Sequence, residues 1–464
     1  MKKQFFYAAL AIGMMSSCSS NDLPGNQAPE EQLPEEERVA MELGIQAPAS
    51  SITASTRSTG AVGGTTNETN LWKGQKLYVL AYEKGTTDKV IDSETITEEN
   101  PDGDYIFEGL SFEAPAQTWN SGTSLVEGGN TIKIMKDAST IQYVYYNPTG
   151  NMDFFGYHID QDVDERTTGV VNGYTVENLT ITGAEDLLGA RTKKVDVATY
   201  PGAQEADINA FNAETPARGF SAWAARRRIQ PILDFQHLLT RFTFTVEAAE
   251  QSAAEWYHNG SEWKPNLSTE TPAQSTAVKI KSITIKGIET NVDIVLYEDG
   301  KDKPYVKVRS GSPLEDLALK GRNVSGESSD FNPTAAMVYN DASHNAETNK
   351  GTFSGGNYST QTPIGESLMI PAGSNQITLH IELEQRVIDT ENTETAEKTY
   401  KVKTGTVDKI LNYSEVQDSE VTSDVFAAGA SYAVNIRVFS FQRIEITASL
   451  SKWENGGNLG FDAE

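Results

Sequence analysis

The chain is poor in cysteine: Cys18 is the only one in 464 residues. One thiol cannot close an intramolecular disulfide, so no internal cross-link holds the fold. Histidine is scarce too. His158, His237, His258, His344 and His380 are dispersed, with neither HExxH nor paired metal-ligand spacing, so no metal site is assigned. No phosphate-binding GxxxxGK[ST] loop occurs, and "GESLM" has Met369 where a nucleophile elbow needs its second glycine, which leaves Ser367 an ordinary serine. Basic residues are outnumbered, 38 Lys and Arg against 65 Asp and Glu, for a formal charge of -27. Such a surface repels nucleic acid and anionic lipid, which sets both aside as partners. Among so many carboxylates some pairs meet in space whatever the function, so an extracellular glycosidase gains no support from them. The segment "DQDVDE" from Asp160 has the alternating carboxylates of a calcium loop, but Glu165 replaces the turn glycine and Val171 the bidentate glutamate, and a solvated acidic loop is expected. No catalytic residue and no cofactor are assigned.

Long apolar runs are also missing, except one at the start. Met1, Lys2 and Lys3 precede "QFFYAALAIGMM", which is too short to span a bilayer as a stable helix and reads as an export signal over residues 1–17. With Ser16 and Ser17 before Cys18, "MSSC" has the form of a loose bacterial lipobox, in which the cysteine becomes the lipidated first residue of the mature chain. The plain alternative is a cleaved signal with an incidental thiol. Lipidation would supply more than the two signals stable anchoring needs. Loss of Lys2 and Lys3 with residues 1–17 takes the formal charge from -27 to -29.

After Cys18, "SSNDLPGNQAPEEQLPEEER" has no apolar periodicity and reads as a flexible spacer. "VAMELGI" then places Val39, Met41, Leu43 and Ile45 on one face, the period of a half-buried strand. A Ser/Thr/Gly stretch with one basic residue, Arg57, follows. Residues 18–57 are therefore a spacer plus one strand, with Arg38 and Arg57 on either side of that strand.

From Leu71 the pattern is β: "KLYVLAY", "YIFEGLSF", "TIKIM", "IQYVYY" and "MDFFGYHI" are short runs separated by Gly, Asn, Asp and Pro. Helical turns are expected only around "GAEDLLGA" and "FSAWAARRRI". After Pro231 the rhythm restarts with "FQHLLTRFTFTV". In "AVKIKSITIKGI" the apolar parity shifts, which predicts a bulge at Lys281 and Ser282. "ITLHIELE" turns Ile377, Leu379, Ile381 and Leu383 inward and leaves His380 on the polar face. In the last run Ile444, Ile446, Ala448 and Leu450 share a face. Length allows about two or three domains. The strand pattern argues for an all-β chain of two β-sandwich domains in tandem, 58–230 and 231–464, with few short helices.

"EWYHNGSEW" carries the Asn259-Gly260 turn dipeptide, and a two-residue turn sets Trp256 opposite Trp263 and His258 opposite Ser261. Trp256, Tyr257 and Trp263 read as a clamped hairpin and, without excluding it, as an aromatic platform for a host or bacterial surface glycan or protein. "RRR" at 226–228 reads as a solvated basic patch.

The lipobox, "TRSTG", "LWKGQKLYVLAY", "YYNPTGNMDFFGYHID", "ITGAEDLLGA", "FQHLLTRFTFTV", "LMIPAG" and "FAAGASYAVNIRVFSFQRIEITASLSKWENGG" together resemble the fimbrillin-like lipoproteins, the type V pilus subunits of Bacteroidia. The resemblance implies two transthyretin-like Greek-key sandwiches, lipoprotein export to the outer membrane and cell surface, and removal of an N-terminal segment after an arginine by an Arg-specific protease. It also implies partnership with other pilus subunits, self or related, one of which donates a strand to the vacated groove. Shaft, anchor and tip subunits all belong to the family.

A physical purpose for the early strand follows. Each of its apolar side chains contributes about 1.5–3 kcal/mol on burial, and its removal leaves unpaired backbone and bare core that demand a replacement strand. A cut between Arg57 and Ser58 releases strand and anchor together; a cut after Arg38 frees the lipid but leaves the sandwich closed. Processing at Arg57 is therefore expected, with Arg38 as runner-up. The Ile444–Leu450 run is the candidate donor. The expected function is a structural and adhesive pilus subunit without catalytic residues; the alternative is a monomeric outer-membrane lipoprotein that binds glycans.

Overall fold

The computed structural model describes residues 39–46, 76–84, 110–113, 118–120, 125–127, 131–133, 135–137, 142–143, 145–146, 151–159, 170–213, 218–250, 253, 256–258, 263–265, 277–320, 362–365, 367–388, 400–416 and 424–451. The first half contains β1 (Glu42–Gln46), β2 (Lys76–Glu83), β3 (Leu110–Glu113), β4 (Thr118–Asn120), β5 (Leu125–Glu127), β6 (Thr131–Lys133), β7 (Met135–Asp137), β8 (Gln142–Tyr143), β9 (Met152–Ile159), β10 (Val170–Asn172), β11 (Thr175–Thr180), β12 (Leu187–Thr192), α1 (Glu205–Phe211) and α2 (Ala222–Ala225). The second half contains β13 (Ile232–His237), β14 (Leu239–Ala248), β15 (Trp256–His258), β16 (Trp263–Pro265), β17 (Val278–Glu289), β18 (Asn291–Val295), β19 (Tyr305–Val308), β20 (Leu314–Ala318), β21 (Thr362–Pro363), β22 (Leu368–Pro371), β23 (Gln376–Ile388), β24 (Tyr400–Asn412), β25 (Ser431–Ser440) and β26 (Arg443–Ser451). The chain is all-β in the sense expected, strands packed as sandwiches with few short helices.

A seven-stranded sheet in the order β3-β2-β9-β12-β13-β1-β6 organises the first half. Its central strands are buried on both faces. Leu77, Val79 and Ala81 of β2 pack with Met152, Phe154, Leu188, Ala190 and the helical residues Ile208, Phe211 and Ala224. Tyr78, Leu80 and Tyr82 turn the other way, onto a four-stranded sheet β10-β11-β18-β19 through Val176, Leu179, Val292 and Ile294. A strand covered on both sides needs apolar side chains at every position, and "LYVLAY" provides them.

The second sandwich pairs β21 and β22 with β14, β25 and β26 in one layer and β20-β17-β23-β24 in the other. Phe242, Phe244, Val246, Ile283, Ile285, Ile377, Leu379, Ile381, Leu383, Val434 and Ile436 form its core. The inward face expected for "ITLHIELE" is the one buried. The β17 register shifts between Ile280 and Ser282, the site at which the sequence parity changes.

Two segments cross the boundary expected at residue 230. β13 pairs with β12 and β1, so the first sheet continues to His237 and the switch to the second sandwich comes at Leu238. β18, from the second half, pairs with β11. Local pattern carries no record of which sheet a strand joins, and both segments alternate as well in one sheet as in the other.

The helical turn expected at "GAEDLLGA" is instead bend and strand: β12 lies between β9 and β13, where ladder pairing overrides the helix formers Ala184, Glu185 and Leu187. α2 lies within "FSAWAARRRI" as expected, whereas α1 has no counterpart in the sequence reading.

Candidate strand-acceptor groove

β1 is an interior strand. It runs parallel to β13, with Gly44 opposite Ile232 and Ile45 opposite Leu233, and antiparallel to β6, with Leu43 opposite Ile132 and Gly44 opposite Thr131. The Gly44 amide donates to the Pro231 carbonyl at 2.9 Å, and the Tyr146 amide to the Val39 carbonyl at 3.0 Å. Met41 and Leu43 are 0% exposed and Ile45 1%, in one cluster with Tyr146, Tyr200, Ile229, Leu233 and Phe235; Val39 packs against that cluster from its margin. Three of the four residues expected to share the buried face are thus wholly inside, and the fourth is half-buried.

The floor of this site is phenolic. Tyr146 and Tyr200 are 2% exposed, and the Tyr146 hydroxyl has no hydrogen-bond partner among the described residues. Burial pushes the Tyr146 phenol well above its ordinary range, and the neighbouring Tyr200 and Glu42 add to the shift. Burial also raises Tyr200. Glu42, on the opposite parity from Leu43, is half-buried and accepts from Gln230 Nε2 at 3.5 Å. A segment seated here therefore offers alternating apolar side chains, one row of amides and carbonyls to each flanking strand, and one polar side chain toward Gln230.

Of the other residues singled out in the sequence, Cys18, Arg38, Arg57, Ser58 and the acidic loop from Asp160 to Glu165 lie outside the described residues. Ile444 and Ala448 are buried in the second sandwich and Ile446 packs against its core, because β26 pairs with β25 from Ser431/Ser451 to Ser440/Arg443. In this state the candidate donor strand, Leu450 included, belongs to its own sheet, where it is the terminal strand.

The hairpin at Trp256 to Trp263 is corrected. Trp256 stands opposite Pro265, Tyr257 opposite Lys264 and His258 opposite Trp263. This is not the register of a two-residue turn on Asn259-Gly260, and the two tryptophans are not a direct cross-strand pair. Ser367 is buried beside β22 with its hydroxyl unpartnered among the described residues. His380 Nδ1 lies 2.6 Å from Asp408 Oδ1 across the β23/β24 pair. The described residues contain no group of three His, Cys, Asp or Glu arranged to hold a metal, and no helix long and apolar enough to cross a membrane.

No protein-family model and no curated protein matches this chain. Solved structures resemble it in fold at low identity. A candidate cell adhesion protein from Bacteroides uniformis matches over 91% of this chain and 100% of its own, at 12% identity and a TM-score of 0.39. A second candidate cell adhesion protein, from Bacteroides ovatus, matches over 90% and 99%, at 12% identity and a TM-score of 0.39. The fimbrial anchor protein Mfa2 from Porphyromonas gingivalis matches over 89% and 99%, at 9% identity and a TM-score of 0.29.

Sequence reasoning missed a buried polar cluster where the two halves meet. His237 Nδ1 lies 2.5 Å from Asp186 Oδ2, with side chains 2% and 0% exposed. Arg241 is 5% exposed, and burial lowers its guanidinium to about 10 against the pull of Asp186. In "LTRFTF" the arginine occupies the outward parity of a half-buried strand. That parity is not outward here: Leu239, two residues earlier on the same face, is buried in one cluster with Leu187, Leu238 and Met369.

Proposed function

We propose that this chain is a structural and adhesive subunit of a cell-surface pilus. It is exported as a lipoprotein through Cys18 and converted to an assembling form by cleavage between Arg57 and Ser58. The cut releases residues 18–57, β1 among them, and a strand of another subunit takes the vacated place between β13 and β6. The observation that carries the proposal is the position of β1: an interior strand, hydrogen-bonded on both sides and buried through Met41, Leu43 and Ile45, supplied by an N-terminal segment with an arginine on either side. A strand so placed is costly to leave out, since its absence exposes two rows of backbone groups and an apolar trench. It is also joined to the rest of the sheet by noncovalent contacts alone once the chain is cut after it. Strand addition to an open sheet edge, with pockets for alternate side chains, is the recognition mode that fits. The motif resemblance to fimbrillin-like lipoproteins supports the same reading.

The test is mass spectrometry of the N-terminus of the native protein in a sheared surface fraction. A chain beginning at Ser58 supports the proposal. A chain beginning at lipidated Cys18 overturns the polymerising form and leaves a basal anchor or a monomeric binding lipoprotein.

A further inference from the structure

Where the first sheet meets the four-stranded sheet β10-β11-β18-β19, aromatic rings gather. β2 sets Tyr82 opposite Asp153 of β9, and β12 sets Arg191 opposite Phe155, so these four side chains share the sheet face that looks toward β11 and β18. Across from them β10 and β11 pair Asn172 with Thr175, which makes Gly173, at φ 56, and Tyr174 the turn. The Tyr82 hydroxyl donates to the Gly173 carbonyl. The Leu296 amide donates to the Tyr174 carbonyl at 2.8 Å, which brings Tyr297 beside the turn. Ring centres then lie 4.6 Å apart for Tyr82 and Tyr174, 5.1 Å for Phe155 and Tyr174, and 5.1 Å for Tyr174 and Tyr297.

Core packing accounts for Tyr82 and Phe155, which are buried. It does not account for Tyr297, 37% exposed, nor for the charged groups beside it. The Arg191 guanidinium carbon lies 4.6 Å from the centre of the Tyr297 ring, and Nη1 donates to the Lys301 carbonyl. Arg191 makes no other hydrogen bond and no ion pair among the described residues. Asp153 is half-buried and has neither a hydrogen bond nor an ion pair among them. Burial raises its carboxyl above the ordinary value, against the pull of Lys84 and Arg191. The same carboxylate adds to the upward shift that burial gives the Tyr174 phenol, so it lies near that ring. Left so, the acid costs stability, and a ligand that donates to it removes the cost.

We propose that Tyr297, Tyr174, Asp153 and Arg191 form a carbohydrate-binding site, which takes a neutral hexopyranose of a surface glycan. A pyranose ring has an apolar face of C–H groups and a rim of hydroxyls. The face lies on the tyrosine rings, while one hydroxyl donates to the Asp153 carboxylate and its neighbour accepts from the Arg191 guanidinium. Charge selects against ionic ligands. Lys84 and Arg191 repel a cation from Asp153, and Asp153 repels an anion from Arg191, whereas a neutral polyol is held by both signs at once. Stacked on Tyr297 and tied to Lys301, the arginine has little side-chain freedom left to lose on binding. The site uses none of Trp256, Tyr257 and Trp263. It rests on the adhesive part of the reading above and is indifferent to where the N-terminus is cut.

The test is binding of the full chain to an array of immobilised neutral oligosaccharides built from glucose, galactose, mannose, fucose and N-acetylhexosamines. The unaltered chain is expected to bind at least one of them. Tyr297→Ala and Asp153→Asn are each expected to weaken that binding about tenfold with thermal melting unchanged, whereas Tyr297→Phe, which keeps the ring, is expected to retain it. Trp256→Ala is expected to bind as the unaltered chain does. Absence of binding to every member of the array overturns the site, and so does binding that survives both Tyr297→Ala and Asp153→Asn. Loss on Trp256→Ala alone overturns it as well and moves the glycan to the hairpin. None of these results touches the N-terminal processing on which the pilus reading is tested, so the two fail separately.

Discussion

Gly44 of β1 stands level with Ile232 of β13 in parallel register, while its other side faces Thr131 of β6. The N-terminal strand is thus enclosed by strands far from it in sequence, and under the proposed processing its contribution to stability belongs to the uncut chain alone.

Leu43 is the sharpest probe of it. Leu43→Ala deletes most of a side chain that is 0% exposed and is expected to cost about 2–5 kcal/mol in chemical denaturation of the uncut chain. Val39→Ala, at the margin of the same cluster, is expected to cost well under half of that. If β1 is released on assembly as proposed, neither change is expected to alter the stability of assembled subunits. Equal losses in both forms count against release.

Processing separates the two arginines. Arg57→Ala is expected to leave the protein cell-bound, with its lipid and β1 in place and no polymer in the sheared fraction. Arg38→Ala is expected to assemble as the unaltered protein does. Immunoblots of sheared and cell-bound fractions distinguish the pair, and the reverse pattern moves the cut to Arg38.

The buried phenol of Tyr146 predicts an alkaline weakness. Its folded pKa is raised above the ordinary value near 10, so the stability it contributes is complete below that value and falls as pH climbs through and beyond it, because the unfolded chain then loses the proton first. Thermal melts at rising alkaline pH should fall less steeply for Tyr146→Phe. Near neutral pH the same substitution removes a hydroxyl with no partner among the described residues and is expected to be neutral or to stabilise by about 1 kcal/mol.

The Asp186 carboxylate lies between two basic side chains at the junction of the halves. Asp186→Asn is expected to cost about 3–5 kcal/mol, because Arg241 then remains buried without the opposing charge of Asp186 and the contact with His237 is altered. Adding Arg241→Met to Asp186→Asn should recover a large part of that loss in urea titrations. No recovery makes the hydrogen bonds of Asp186, rather than its charge, the important quantity.

Much of the architecture was legible before any coordinates. The alternation of Val39, Met41, Leu43 and Ile45 marked a strand with one buried face, and the parity change after Ile280 marked the β17 bulge. Both are local matters, written within a few residues by the two-residue period of side chains. The register of the Trp256 hairpin misled because Asn259-Gly260 is a strong turn signal only when the chain closes on those two residues, and the pairing of His258 with Trp263 is not the register such a turn sets.

Sequence alone determined that the chain is β-rich, acidic, confined to a single thiol, and provided with an early amphipathic strand between two arginines. Each follows from composition or from a period short enough to be read in one segment. Tertiary structure decided that this strand lies between β13 and β6, that β18 crosses to β11, and that Arg241 is inside. Those relationships join residues separated by many tens of positions to nearly two hundred, and strand pairing at that distance is chosen by complementary surfaces of the whole fold, which no local pattern records.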